Sequence, residues 1–320
     1  MTNPISRRTA LIAGASLTTG LTTGLATSAA LAASTKLSRR RRSFDLELPV
    51  DNVTAYLKMR ASLETQDVFY WFTGRLDLAV PGEAVQPIVN VESLILRRTE
   101  RIGDLAWNVI DWEAALYRHP QSGAYLVNGD ELLNPATQKP VKPFHYREGP
   151  VRFRFTDEEP RIVGSRDILP RTGKPFHYDW KIVAGDLWMN KSSYIKAPNW
   201  LAPEKYPRAS SGPSVIVATH STLKARLADV ENPRMASVPT DFSYAATSSW
   251  LPWMEMGQSP GHVIWAEAGK KLFSLDEAPA EQLAMLHQVH PQWFERPDPW
   301  PQFTNLFLQY AERNPLLAGG

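Results

Sequence analysis

From Val68 onward the chain is a succession of β-prone runs cut apart by glycine, proline and asparagine, with helical periodicity concentrated near its two ends. That pattern limits the fold more than any other feature. Residues 68–72 (Val-Phe-Tyr-Trp-Phe) run on through Leu76 and Leu78 to a Pro81-Gly82 turn. Residues 88–98 alternate in part, with Val89, Val91, Ser93, Ile95 and Arg97 on one side. Residues 105–118 read as a third long strand or a strand running into a helix, and 151–155 as a clean strand with two arginines on one face. Further strands are expected at 180–184, 187–194, 214–220, 242–250 and 262–273, with turns at Asn128-Gly129, Asn134-Pro135 and Gly149-Pro150. Helices are expected at 51–63, capped by Asn52, and at 221–230, 277–289 and 303–313. Without βαβ alternation, the pattern predicts a mainly β (α+β) fold, an antiparallel curved sheet or partly closed β-barrel with peripheral helices. The Pro-rich stretch 195–212 is expected to be a surface loop of the kind that covers a site.

The N-terminal segment reads as an address rather than structure. Ser6-Arg7-Arg8-Thr9 precedes a weakly apolar, Gly- and Thr-diluted run and a small-x-small cleavage site, as in a twin-arginine export signal. The expected organisation is a signal peptide at 1–33, a basic flexible segment at 34–43 and a single β-rich domain at 44–316. It implies a periplasmic or secreted protein, the twin-arginine export machinery as a partner, and no transmembrane segment after cleavage. The chain has no cysteine, which excludes disulfides and thiolate-held metals or clusters. Four arginines at 39–42 read as a solvated tail or an anionic-surface contact; without the leader and tail the body is mildly acidic, so no nucleic-acid partner is expected.

The pentapeptide Lys-Pro-Phe-His-Tyr stands at 142–146 and again at 174–178, an offset of 32 residues that suits two successive hairpins, each led in by the same residues. In an extended chain each histidine points away from its flanking aromatics. If both face inward, His145 and His177 meet across a lumen as acid–base partners, with Tyr178 or Asp111 orienting them. Otherwise they are half-buried rings satisfied by the backbone. His220 has a similar claim at an expected strand-to-helix junction. Phosphate loops, dinucleotide fingerprints, Gly-x-Ser-x-Gly and His-Glu-x-x-His are missing, which disfavours nucleotide chemistry and the common serine and zinc hydrolases.

Among the acids, Asp111 and Glu113 bracket Trp112, while Asp67, Glu92 and Glu267 lie in apolar company. An unpaired carboxylate there has a raised pKa and suits proton transfer; Arg97-Arg98 would instead neutralise Glu92 in an ion pair. No cofactor is expected. Two histidines and a carboxylate have the donor types for a metal, but no ligand spacing supports one. Trp250-Leu251-Pro252-Trp253-Met254-Glu255-Met256-Gly257 is the richest aromatic and thioether segment. Trp250, Trp253 and Met254, with Trp188, are candidate walls for a hydrophobic ligand, or else core packing between the last strands.

Through that segment, the Asn134-Pro135-Ala136-Thr137 turn leading to His145, and the twin-arginine leader, the chain resembles a bacterial and fungal family catalogued as domain of unknown function eighteen-thirty-eight. The resemblance covers residues 44–313 and implies no catalytic residue. The residues themselves point to a periplasmic enzyme of lyase, dehydratase or isomerase type acting on a hydrophobic, aromatic small molecule. The alternatives are a lipocalin-like carrier of an apolar ligand and a His/carboxylate metal-dependent oxidoreductase.

Overall fold

Runs rich in Val, Ile and aromatic residues, separated by tight turns, pair first with their sequence neighbours, because closing a short loop costs little chain entropy. The computed structural model describes residues 44–127, 129–163, 173–295 and 302–315; the leader and basic segment lie outside these. A first meander is formed by β1 (Gln66–Ala79), β2 (Gln86–Gly103), β3 (Ala106–Arg118), β6 (Tyr146–Phe155) and β7 (Arg161–Ile162). The small hairpin of β4 (Leu132–Asn134) and β5 (Lys139–Val141) stands apart from it. A second meander comprises β8 (Asp179–Val183), β9 (Asp186–Pro198), β10 (Ser214–Arg226), β11 (Asp241–Ser248) and β12 (His262–Leu272). β12 returns to pair with β1, joining both into one ten-stranded antiparallel sheet, order β7-β6-β3-β2-β1-β12-β11-β10-β9-β8, curled into a half-barrel. The mainly β, partly closed architecture is the one expected.

Side-chain alternation divides the sheet into two faces. On the convex side Phe69, Leu94, Leu96, Trp112, Ala114 and Leu116 pack under helix α3 (Ala280–Val289) and Trp293. The concave side holds two clusters. One forms around helix α1 (Pro49–Arg60), whose Val53, Tyr56, Leu57 and Met59 meet Tyr70, Phe72, Phe155, Phe176 and Met189. The other gathers Leu76, Val91, Tyr117, Trp250, Trp253 and Met254 with Leu306 of helix α4 (Leu306–Arg313). No helix among the described residues is long and apolar enough to cross a membrane.

Two buried side chains fix α1. Lys271 on β12 donates to the carbonyls of Lys58, Met59 and Ala61 at 2.8, 3.2 and 2.6 Å, the last turn of the helix. Burial pulls its pKa down, yet three acceptors consume all three ammonium protons, so this geometry fits the charged form at a helix C-terminus. Asn52 is not the helix cap. Its amide instead donates to Leu46 O (3.1 Å) and Tyr178 O (3.2 Å) and accepts from Tyr178 N (3.0 Å), acting as a backbone substitute at the start of β8.

Three expectations change. The helix expected at 221–230 is mostly strand, because β10 pairs with β9 as far as Arg226 and only Leu227–Glu231 (α2) turns helical. Thr219, Thr222 and Leu223 suit that doubly paired position. His220 is therefore an exposed mid-strand residue, its Nδ1 3.0 Å from Ser192 Oγ. Gly149-Pro150 is no turn between strands but a bulge within β6: Asp111 faces Val151, Glu113 faces Glu148, and two residues oppose Trp112. Gly149 has φ 100°, and a Cβ there would lie 2.7 Å from Asp111 O.

Asn52→Ala removes three buried hydrogen bonds and strands the Tyr178 backbone groups, so unfolding free energy should fall by about 2–4 kcal/mol. Urea denaturation measures this; a loss under about 0.5 kcal/mol would show that Asn52 does not fasten α1 to the sheet edge.

Candidate active site

Between the two concave clusters, at mid-strand level, lies a cavity of about 390 Å³. Alternation aims odd residues of β2, β3, β10 and β12 and even residues of β1 and β11 into it. Phe72, Ile95, Phe242, Trp265 and Leu251 give it apolar walls, while Phe307 and Trp200, stacked 5.6 Å apart at 30°, close one side. Trp200 comes from the Pro-rich loop expected to cover a site; β9 takes the first residues of that stretch, as far as Pro198.

Three carboxylates enter this apolar space. Glu113 and Glu148 are directly opposed across β3 and β6, one step past the bulge, and Glu267 stands three strands further round the sheet, opposite Gly74. Glu267 is buried, and Glu113 and Glu148 are half-buried where they face the cavity. Burial, then the Glu148 charge, pushes the Glu113 pKa up to about 8. Burial pushes Glu148 up to about 7. Burial and the Glu113 charge drive Glu267 well above the usual carboxylate range. Tyr146 and Tyr244 also line the cavity, their hydroxyls held protonated by burial.

At the α1 end, Arg60 and Arg97 face the same space. Asp111, one layer behind, pairs with both: with Arg60 Nη2 and, at 3.3 Å, with Arg97 Nε. Arg97 also sits over Tyr70, its Cζ 4.3 Å from the ring centroid. Burial first and the Arg60 charge second pull the Arg97 pKa down, but a guanidinium stays charged throughout the working range.

The structure does not bring His145 and His177 together. They belong to opposite edges of the sheet, ahead of β6 and β8. The His145 ring is buried, accepts from Tyr117 N at 3.0 Å, and has its pKa pulled down to about 4 by burial. His177 is exposed, 3.5 Å from Asp179. The repeated pentapeptide therefore marks two strand starts, with Phe144 and Tyr146 in one cluster and Phe176 and Tyr178 in the other. Tyr178 stacks on Tyr56 (4.2 Å, 30°), outside the cavity lining. Asp111 serves the cavity indirectly, through the two arginines. Trp250, Trp253 and Met254 are core side chains, and of that segment Leu251 reaches the cavity. Trp188 is on the outer surface, with Lys224 Nζ 5.4 Å from its ring centroid.

The sequence marks Glu113 beside Trp112 and Glu267 in apolar company among several acids, without singling either out as a site residue. Glu148 was hidden by reading Gly149-Pro150 as a turn. Arg97 pairs with Asp111 rather than Glu92, which is held by Arg118, Trp71 and Tyr125. Among the described residues no group of three or more His, Cys, Asp or Glu is arranged to hold a metal ion. A family model described as a protein of unknown function (DUF1838) matches residues 65–310. No curated protein matches the chain.

Raised carboxyl pKa values mean that the folded protein binds more protons than the unfolded chain between pH 4.5 and about 8. This contribution to stability is fully present below pH 4.5 and is lost as pH rises through the folded values of about 7 and 8. Glu113→Gln mimics the protonated form. It should be near neutral at pH 4.5 and stabilise by about 1–3 kcal/mol above the folded pKa, as read by urea unfolding across pH. A pH-independent difference would contradict the assignment.

Proposed function

The chain belongs to the DUF1838 family of proteins of unknown function, and from its concave cavity we propose that it is an acid–base enzyme for an apolar small molecule. The observation that carries this reading is the cross-strand pair Glu113–Glu148 inside an aromatic-walled cavity, with pKa values of about 8 and 7. Near neutral pH such a pair holds roughly one proton between its members. One carboxylate removes a proton from carbon, and the neighbouring carboxylic acid returns one to carbon or to a leaving oxygen. Protonated Glu267, on the facing wall, donates a hydrogen bond to an oxygen on which charge develops. Proton removal and return leave the protein unchanged, which suits isomerisation, dehydration or hydration. The twin-arginine-like leader supports work in the periplasm or outside the cell.

The apolar walls also favour a carrier that binds and releases its ligand unaltered. Ring opening of 5-nitrobenzisoxazole separates the two, because it requires little more than removal of a carbon-bound proton. The wild type is expected to accelerate it increasingly as pH rises through the titration of the pair. Glu148→Gln, which removes the carboxylate that ionises first, should lower kcat/KM by about 10²-fold, and Glu113→Gln, which keeps it, should lower kcat/KM less. Saturable binding of this probe without acceleration, or a folded Glu148→Gln as active as wild type, overturns the enzyme reading in favour of the carrier.

A further inference from the structure

The carboxyl pair accounts for one part of the cavity; its α1 end is charged and unexplained. Arg60, Arg97 and Asp111 together carry a net charge of plus one, and Asp111 is the only ion-pair partner of either guanidinium among the described residues. The Arg97 side chain is 4% exposed and lines the cavity, and its Nη1, like Arg60 Nε, has no hydrogen-bond acceptor among the described residues. A buried guanidinium with an idle donor is costly to fold unless something accepts from it. The nearby ammonium of Lys271 is already consumed by α1. Glu113 and Glu267, protonated near neutral pH, do not compete for the cation.

We propose that the Arg60–Arg97 end of the cavity is an anion subsite, and that the small molecule taken here is an apolar carboxylic acid. Its carboxylate sits on the Arg97 guanidinium and its body lies along Phe72, Phe242 and Trp265. A planar carboxylate matches the guanidinium fork, and the walls bury the rest of the molecule. Anchoring the carboxylate at this end directs the apolar body towards Glu113 and Glu148 and makes the substrate directional. This rests on the cavity being the small-molecule site argued above.

The test compares 2-naphthoate with 2-naphthylmethanol, which has the same rings and no charge, by calorimetry at about pH 6, where naphthoate is ionised and the pair largely protonated. In wild type the acid should bind at least about tenfold more tightly than the alcohol. Arg97→Gln should erase that preference while leaving the alcohol's affinity within about twofold, and Arg97→Lys should keep part of it. Equal affinities in wild type, no binding of either probe, or an equal weakening of both by Arg97→Gln would overturn the subsite. The wild-type comparison needs no variant, so it decides the matter even if Arg97→Gln does not fold. Equal affinities with benzisoxazole turnover intact remove the subsite alone; preferred naphthoate binding without turnover removes the enzyme reading alone.

Discussion

The ammonium of Lys271, planted on β12, takes up the last carbonyls of α1, and through it the helix is held inside the curl of the sheet. The other features of the concave face follow from that placement. A half-barrel of ten strands leaves its hollow open, and the hollow must be filled or it collapses. Helix α1 fills one end, and its final residue, Arg60, is thereby delivered to Asp111. Asp111 in turn holds Arg97. Lys58, on the same helix, reaches the carbonyls of Val230 and Asn232, both at 2.7 Å, fastening α1 to the second meander. The cavity is what remains between this plug and the one formed by α4 with the Trp250–Met254 region.

Charge and burial are balanced differently at the two ends of that cavity. Near α1, ionised groups stay ionised because they are paired or bonded to carbonyls. Further along, the carboxyls have no cation within ion-pair distance among the described residues, and their cheapest adjustment is to keep a proton. An ionised Glu113 beside an ionised Glu148 in an apolar wall is unfavourable, so one protonates first. A fold optimised for stability alone would place leucine or glutamine there. Carboxyls held in an apolar cavity at a stability cost above neutral pH are the observation on which the proposed acid–base role rests.

Much of the sheet was legible because strand signals are local: β1, β2 and β12 stand where alternation and aromatic content placed them. The joining of β1 to β12 was not, since pairing between positions as far apart in the chain as Phe69 and Leu272 depends on the summed curl of both meanders rather than on either strand. The helix expected at 221–230 failed because pairing on both sides overrode a local pattern. The site was partly legible. Glu113 and Glu267 could be recognised as acids among apolar neighbours, but Glu148 sat beside Gly149-Pro150, a pair that signals a turn by composition and here makes a bulge. The repeated Lys-Pro-Phe-His-Tyr drew attention to histidines. Its physical content lies instead in Phe144, Tyr146, Phe176 and Tyr178, which anchor two edges of the sheet in two cores.

The central claim is that Glu113 and Glu148 are held as a proton-sharing pair in the cavity. It is tested most directly by titrating glutamate side chains labelled with carbon-13 at the carboxyl, with Glu113→Gln and Glu148→Gln assigning the two resonances. Midpoints of about 8 for Glu113 and about 7 for Glu148, with the Glu113 midpoint moving down in Glu148→Gln, are the predicted result. Two independent midpoints near the ordinary 4.5 would contradict it.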